Sequence, residues 1–221
     1  INFLKKLGCK ITSFGRKITI LGKSSKKENI NHKIIFDRIE GGTFLIAGAL
    51  IGRKLIIKDI EPKILKFEIN LLKRMGVKII TTKKSITILK STKLKSIDIS
   101  TKPFPGFPTD LQAQLMVLMT QVKGVSKIKE NIFENRFMHV PELKRMGAQI
   151  EIRDKTAYIK GPSKLNGAEV MATDLRASVS LVLAGLIADN RTIVNRIYHL
   201  DRGYEFLEDK LKNCMANIRR V

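Results

Sequence analysis

The 221-residue sequence predicts an α+β fold in which one unit is used repeatedly, on three observations. The first is a recurring phrase: Lys5-Lys6-Leu7-Gly8, Lys73-Arg74-Met75-Gly76 and Lys144-Arg145-Met146-Gly147, with Lys212-Asn213-Cys214-Met215 in fourth place. Its members stand 68, 71 and 68 residues apart, and a fixed period of that size marks a duplicated structural unit. Glycine closes a helix there because the next residue needs a positive φ. Met215 breaks the rule and is expected to strain its turn by about 1 kcal/mol. The second observation is an aspartate ahead of an apolar stretch in each unit, at Asp37, Asp110 and Asp174. The third is a set of short alternating runs, Ser85–Leu89 and Thr156–Ile159, that read as strands. Together they give units of roughly αβαββ order, with amphipathic helices laid against sheets.

Residues 1–30 hold only the tail of such a unit: a helix ending at Gly8, strands at Lys10–Ile11 and Lys17–Leu21, and a polar linker, Gly22–Asn31. A lone tail cannot bury its own apolar face. The chain is therefore expected to be the C-terminal portion of a longer polypeptide. Residues 1–30 would close an otherwise missing first domain, and 31–221 would form a nearly complete second one with units near 37–100, 101–165 and 166–221. In the first unit Asp37 and Glu40 have capping-box spacing, followed by a helix at Thr43–Leu50, an extended segment at Lys54–Lys58 and a second helix from Pro62. In the second, Pro103–Pro108 is too rich in Pro and Gly for a helix interior. Thr109 or Asp110 then offers a cap oxygen, and Leu111, Leu115 and Leu118 supply one apolar helix face. A strand over Val125–Ile132 and a helix near Pro141 follow. The third unit repeats the plan with a helix at Leu175–Ile187, an extended Thr192–Arg196 and a helix from Asp201.

Two cysteines, Cys9 and Cys214, give neither metal spacing nor a disulfide framework, which suits a reducing compartment. Both fall in slots of the repeat and read as small core residues. No apolar run approaches membrane-spanning length and no stretch has the shape of a signal peptide. The net charge of +22 raises nucleic acid as a partner, since a basic surface attracts phosphates without reading them. Against that, the cations are scattered along the chain and aromatic residues are not interleaved with them as a stacking platform. A basic structural or nucleic-acid-binding module, or a remnant without function, stands as the alternative reading.

Chemistry is densest from Glu134 to His139, where acid, amide, base and imidazole crowd together without a helical or strand period. Arg136 and Arg202 lie at places that the repeat makes equivalent, near the start of each second helix, and Arg176 lies in the first turn of another helix. Helix starts favour anions and an arginine there adds a bidentate fork, so the three suggest a pocket for phosphate and carboxylate. Asp110 is a plausible base beside it. The plain alternatives are that Asp110 is only an N-cap, that Glu134 and Arg136 are a surface ion pair, that Arg176 pairs with an exposed acid, and that His139 is a satisfied polar residue near a helix start.

Four long motifs carry a resemblance through nearly the whole chain: Phe107-Pro108-Thr109-Asp110-Leu111-Gln112-Ala113-Gln114, Phe133 to Glu142, Ala172 to Ser178, and Tyr198 to Glu205. They resemble the UDP-N-acetylglucosamine 1-carboxyvinyltransferases, the enolpyruvyl transferases that open peptidoglycan synthesis in the cytoplasm. The resemblance implies an inside-out α/β barrel of three βαβαββ-type units, helices inside and sheets outside, in each of two domains. It implies UDP-N-acetylglucosamine and phosphoenolpyruvate as substrates and no cofactor or metal. By similarity Asp110 takes the proton from the sugar 3-hydroxyl, Asp110 and Ile132 contact the nucleotide sugar, and Arg136 is a cleft arginine. Arg176 and Arg202 hold phosphoenolpyruvate, and Asp174 and Leu175 belong to the same lining. The family's catalytic loop lies in its first domain, so this piece alone is expected to be inactive and to expose an unpaired sheet edge.

Overall fold

Local backbone demands place the helix ends. Gly8, Gly76 and Gly147 each adopt a φ of 98°, and Met215 makes the same left-handed turn with a φ of 64°. In the computed structural model, which describes residues 1–21 and 29–221, the chain divides into two compact units, Ile1–Phe36 and Asp37–Val221. The first carries α1 (Asn2–Lys6) and an antiparallel hairpin of β1 (Lys10–Phe14) and β2 (Lys17–Leu21). Most of the predicted Gly22–Asn31 linker lies outside the described residues.

The second unit holds the three repeats. The first repeat runs α2 (Arg38–Ile51), β3 (Leu55–Lys58), a 3-10 turn leading into α3 (Lys66–Arg74), then β4 (Lys78–Thr81) and β5 (Ser85–Leu89). The second runs β6 (Asp98–Ser100), a 3-10 turn at Thr109–Leu111, α4 (Gln112–Thr120), β7 (Gly124–Lys129), α5 (Val140–Arg145), β8 (Gln149–Arg153) and β9 (Thr156–Gly161). The third has β10 (Glu169–Met171), α6 (Leu175–Gly185), β11 (Ile193–Asn195), α7 (Tyr198–Asp201) and α8 (Leu207–Asn213). Among the described residues the second repeat alone has the full βαβαββ order. Its sheet is β6-β7-β9-β8, against β3-β5-β4 in the first repeat and β10-β11 in the third. The β6–β7 and β10–β11 pairs are parallel, each bridged by a central helix.

The helices α2, α4 and α6 sit at the centre, and each packs on its own repeat's sheet while α4 touches both of the others. Every residue of α4 is buried, which corrects the expectation of one apolar face. A helix enclosed by two neighbours and a sheet has no solvent side. Gly42 lets α2 approach the Leu111 side chain so closely that a Cβ would not fit. Phe44 of α2 in turn packs against a cluster of Val179, Val182, Leu200 and Tyr204, which joins the first repeat to the third.

Several expectations need correcting. Asp37 caps α2, its Oδ1 accepting from the Ile39 and Glu40 N–H groups at 2.7 and 3.0 Å. Glu40, however, turns to Lys210 Nζ at 2.6 Å instead of completing a capping box. Asp201 ends α7 rather than starting a helix, because the turn through Gly203 and a left-handed Phe206 (φ 47°) separates α7 from α8. Strand β7 stops at Lys129, short of Ile132, where the backbone turns toward a side-chain acceptor. Cys9 is half-buried and Cys214 exposed rather than core, since no strand among the described residues covers the Met215 turn.

Candidate active site

Asp110 is the centre of the candidate site, and it is not an N-cap. Pro108 holds φ −75° and ψ 140° and starts a 3-10 turn, so α4 begins from Leu111 without a side-chain cap. The carboxylate of Asp110 is thereby released outward. Its Oδ1 accepts from Arg136 Nη2 and from Arg176 Nε, both at 2.8 Å. Oδ2 has no donor among the described residues. Side-chain exposures of 28% for Asp110, 19% for Arg136 and 32% for Arg176 leave the cluster open on one side. Arg136 pairs with Asp110 and not with Glu134, and its guanidinium lies 4.7 Å from the Phe133 ring centre. Its Nε is buried without a partner.

Glu130 organises the floor of this cluster, and the motif reading missed it. It is 1% exposed, and four donors converge on it: Thr101 Oγ1 at 2.8 Å, Thr109 Oγ1 at 2.9 Å, and the N–H groups of Ile132 and Phe133 at 2.8 and 3.2 Å. A buried carboxylate with no cation in contact needs donors of this kind to offset its lost hydration. Thr109 is thus fixed beside Asp110, and the loop bearing Ile132 is folded back. Ile132 itself is 38% exposed. The signal was available: Ser126, Ile128 and Glu130 all face inward, the period of two continuing one step past the strand.

Asp174 caps α6, its Oδ1 accepting from the Arg176 and Ala177 N–H groups at 2.6 and 3.0 Å. That cap orients the first turn and so aims Arg176 at Asp110. Leu175 serves packing: a Cβ on Gly203 would stand 2.7 Å from its Cδ2, so Leu175 buttresses the turn that carries Arg202. Arg202 is exposed and has no ion-pair or hydrogen-bond partner among the described residues. Its neighbour Asp201 pairs with Arg220 at 2.6 Å instead. His139 is 2% exposed with Nε2 unpartnered. Burial pulls its pKa down to about 4, with Asp174 opposing that shift and Arg136 adding to it. It is therefore a neutral, buried imidazole with one nitrogen unpartnered, not a satisfied polar residue. Among the described residues no three His, Cys, Asp or Glu side chains are grouped to hold a metal, and no helix is long and apolar enough to cross a membrane.

Three repeats around central helices, with arginines from two of them closing on one aspartate, match one family of known proteins. The profile of EPSP synthase (3-phosphoshikimate 1-carboxyvinyltransferase) matches residues 1–211. The chain belongs to the EPSP synthase family. Among curated relatives, the UDP-N-acetylglucosamine 1-carboxyvinyltransferase of Pelagibacter ubique is 54% identical over 222 aligned positions, covering 100% of this chain and 53% of that protein. The enzyme of the same name from Afipia carboxidovorans is 49% identical over 99% of this chain and 51% of its own length. The chain thus spans about half the length of the curated relatives it matches. The crystal structure of the enolpyruvyl transferase NikO from Streptomyces tendae superposes with a TM-score of 0.89 at 31% identity, over 99% of this chain and 52% of that one. EPSP synthase from Acinetobacter baumannii superposes at 0.75 with 19% identity, a likeness of fold alone. The fold is that of the enolpyruvyl transferases.

Proposed function

We propose that this chain supplies one wall of the cleft of an enolpyruvyl transferase acting on UDP-N-acetylglucosamine. In this reading the enolpyruvyl group of phosphoenolpyruvate passes to the sugar 3-hydroxyl, a new C–O bond replaces the C–O bond to phosphate, and inorganic phosphate leaves. The reaction would be the first committed step of peptidoglycan synthesis, in the cytoplasm. The observation that carries the reading is the grip of Arg136 and Arg176 on one oxygen of Asp110. It fixes the carboxylate in place while Oδ2 stays available to accept the hydroxyl proton. Arg176, and Arg202 on the neighbouring turn, present guanidinium groups to the carboxylate and phosphate of phosphoenolpyruvate. Ile132 lines the sugar-nucleotide side, with Asp174 and Leu175 shaping the wall between the arginines. The names of the relatives at 54% and 49% identity supply the substrate class.

Protonation of the enolpyruvyl methylene and closure over the substrates fall to a first domain, joined in cis or supplied as a separate piece. The test is a chimera in which these 221 residues replace the matching stretch of the Pelagibacter ubique relative. The chimera is expected to release phosphate only when both substrates are present, and the isolated chain to release none. A well-folded chimera without transfer overturns the reading.

A further inference from the structure

Three polar side chains, one from each repeat, meet in the apolar centre. Thr43 Oγ1 on α2 and the Tyr204 hydroxyl beyond α7 share a hydrogen bond of 2.8 Å. Gln114 Nε2 on α4 lies 3.1 Å from Thr43 Oγ1 and 3.3 Å from the Tyr204 oxygen, so that one of its two N–H groups is shared between the two hydroxyls. The same amide nitrogen donates to the backbone carbonyl of Asp110 at 3.0 Å. Exposures are 1% for Thr43, 0% for Gln114 and 3% for Tyr204. Core packing alone does not call for these groups, because Val, Leu and Phe would fill similar volumes without burying polar atoms.

Their connectivity gives them another use. One Gln114 amide group reaches both the residue whose carboxylate centres the site and, through Tyr204, the turn that carries Arg202. We propose that Thr43, Gln114 and Tyr204 form a positioning node that sets Asp110 and the Arg202 turn at a fixed separation. The proposal rests on reading Asp110 and Arg202 as site residues, and it assigns none of the three a contact with substrate. The Arg202 turn needs such a tie. Arg202 has no side-chain partner among the described residues, and Phe206 holds a left-handed φ of 47°. The turn is clamped by Leu175 against Gly203 on one side and by the Tyr204 hydroxyl on the other. Burial pushes the Tyr204 hydroxyl up to about 12, so it keeps its proton and its hydrogen bond at neutral pH.

A network that merely stabilises the core would, when broken, lower the melting temperature and speed amide exchange throughout the second unit. A positioning node loosens its two ends selectively. The experiment is site-resolved hydrogen exchange on the 221-residue chain carrying Thr43→Val, which keeps shape and removes the hydroxyl, or Thr43→Ser, which keeps the hydroxyl. Expected in the Val variant is acceleration of about tenfold at amides 111–114 and 203–206, the scale of one buried hydrogen bond lost. The β8–β9 hairpin should stay at its original rate, and the Ser variant should return both ends close to wild type. Acceleration at one end only, uniform acceleration that follows the melting temperature, or no change overturns the proposal. If Thr43→Val does not fold, Tyr204→Phe removes a single oxygen and is judged by the same pattern. The exchange readout needs no ligand, so a failure of the enolpyruvyl reading, seen as an inactive chimera, is distinguishable from a failure of the node.

Discussion

Two stretches of the chain share the phrase Thr-Asp-Leu, at 109–111 and 173–175, and use the aspartate oppositely. Asp174 has an extended backbone (φ −154°, ψ 175°) and folds its carboxylate onto its own helix N–H groups. Asp110 follows Pro108 into a 3-10 turn and spends its carboxylate on arginines 26 and 66 residues away. The first arrangement stabilises a helix end, by about 1 kcal/mol on the usual scale of such caps. The second leaves a helix end uncapped and assembles a charged cluster. The difference shows that a local phrase offers a carboxylate, and its neighbours decide whether it serves fold or chemistry.

The sharpest way to break that contrast is to neutralise each aspartate in the active chimera. Asp110→Asn is expected to lower kcat/KM about a thousandfold, the middle of the range for loss of a general base. Asp174→Asn keeps a capping oxygen, so its melting temperature should hold and its activity fall far less. Equal losses would end the distinction.

Arg202 extends the comparison to a cation left unpaired among the described residues while Arg136 and Arg176 are held. Arg202→Lys keeps the charge but loses the planar fork. A loss of about 3 kcal/mol in kcat/KM for phosphoenolpyruvate is expected, with sugar-nucleotide affinity and melting temperature little changed. Activity recovering in proportion to the folded fraction would make Arg202 a fold residue instead.

His139 senses both regions: it stands three residues after Arg136 and feels the charges of Arg136 and Asp174. Its folded pKa of about 4 lies below the unfolded value of 6.5. Between those values the unfolded chain binds a proton that the folded chain excludes. Stability should therefore fall as pH drops from 6.5 to 4, by up to about 3 kcal/mol, and level off below. Urea midpoints measured across that window should flatten in His139→Phe. An unchanged slope would show that the imidazole is already charged or exposed.

The smallest effects concern the repeated turn. A Cβ at Gly147, whose φ is 98°, would stand 3.0 Å from the Lys164 carbonyl oxygen. Gly147→Ala should cost about 2 kcal/mol. Met215 makes the same turn and is 78% exposed, so Met215→Gly should gain about 1 kcal/mol. Denaturant midpoints with unchanged m-values would check both. A destabilised Met215→Gly would mean that the methionine side chain holds something the glycine turns do not.

What the sequence alone determined is local in origin. The period of the repeat, the left-handed turns at Gly8, Gly76 and Gly147, the caps at Asp37 and Asp174, and the hairpin strands follow from backbone preferences within a few residues. The arginines of the candidate site were legible as repeated positions and as a family resemblance, although no spacing said which acid they would meet. Tertiary structure alone decided that Arg136 and Arg176 share one oxygen of Asp110, that Glu130 replaces a cap in fixing Thr109, and that Thr43, Gln114 and Tyr204 meet at the centre. It also decided that α4 is enclosed on every side and that Asp201 turns to Arg220. The reason is physical: these groups lie up to 161 residues apart in the chain. A hydrogen bond needs its partners within about 3 Å, and only the packing of the central helices brings them that close.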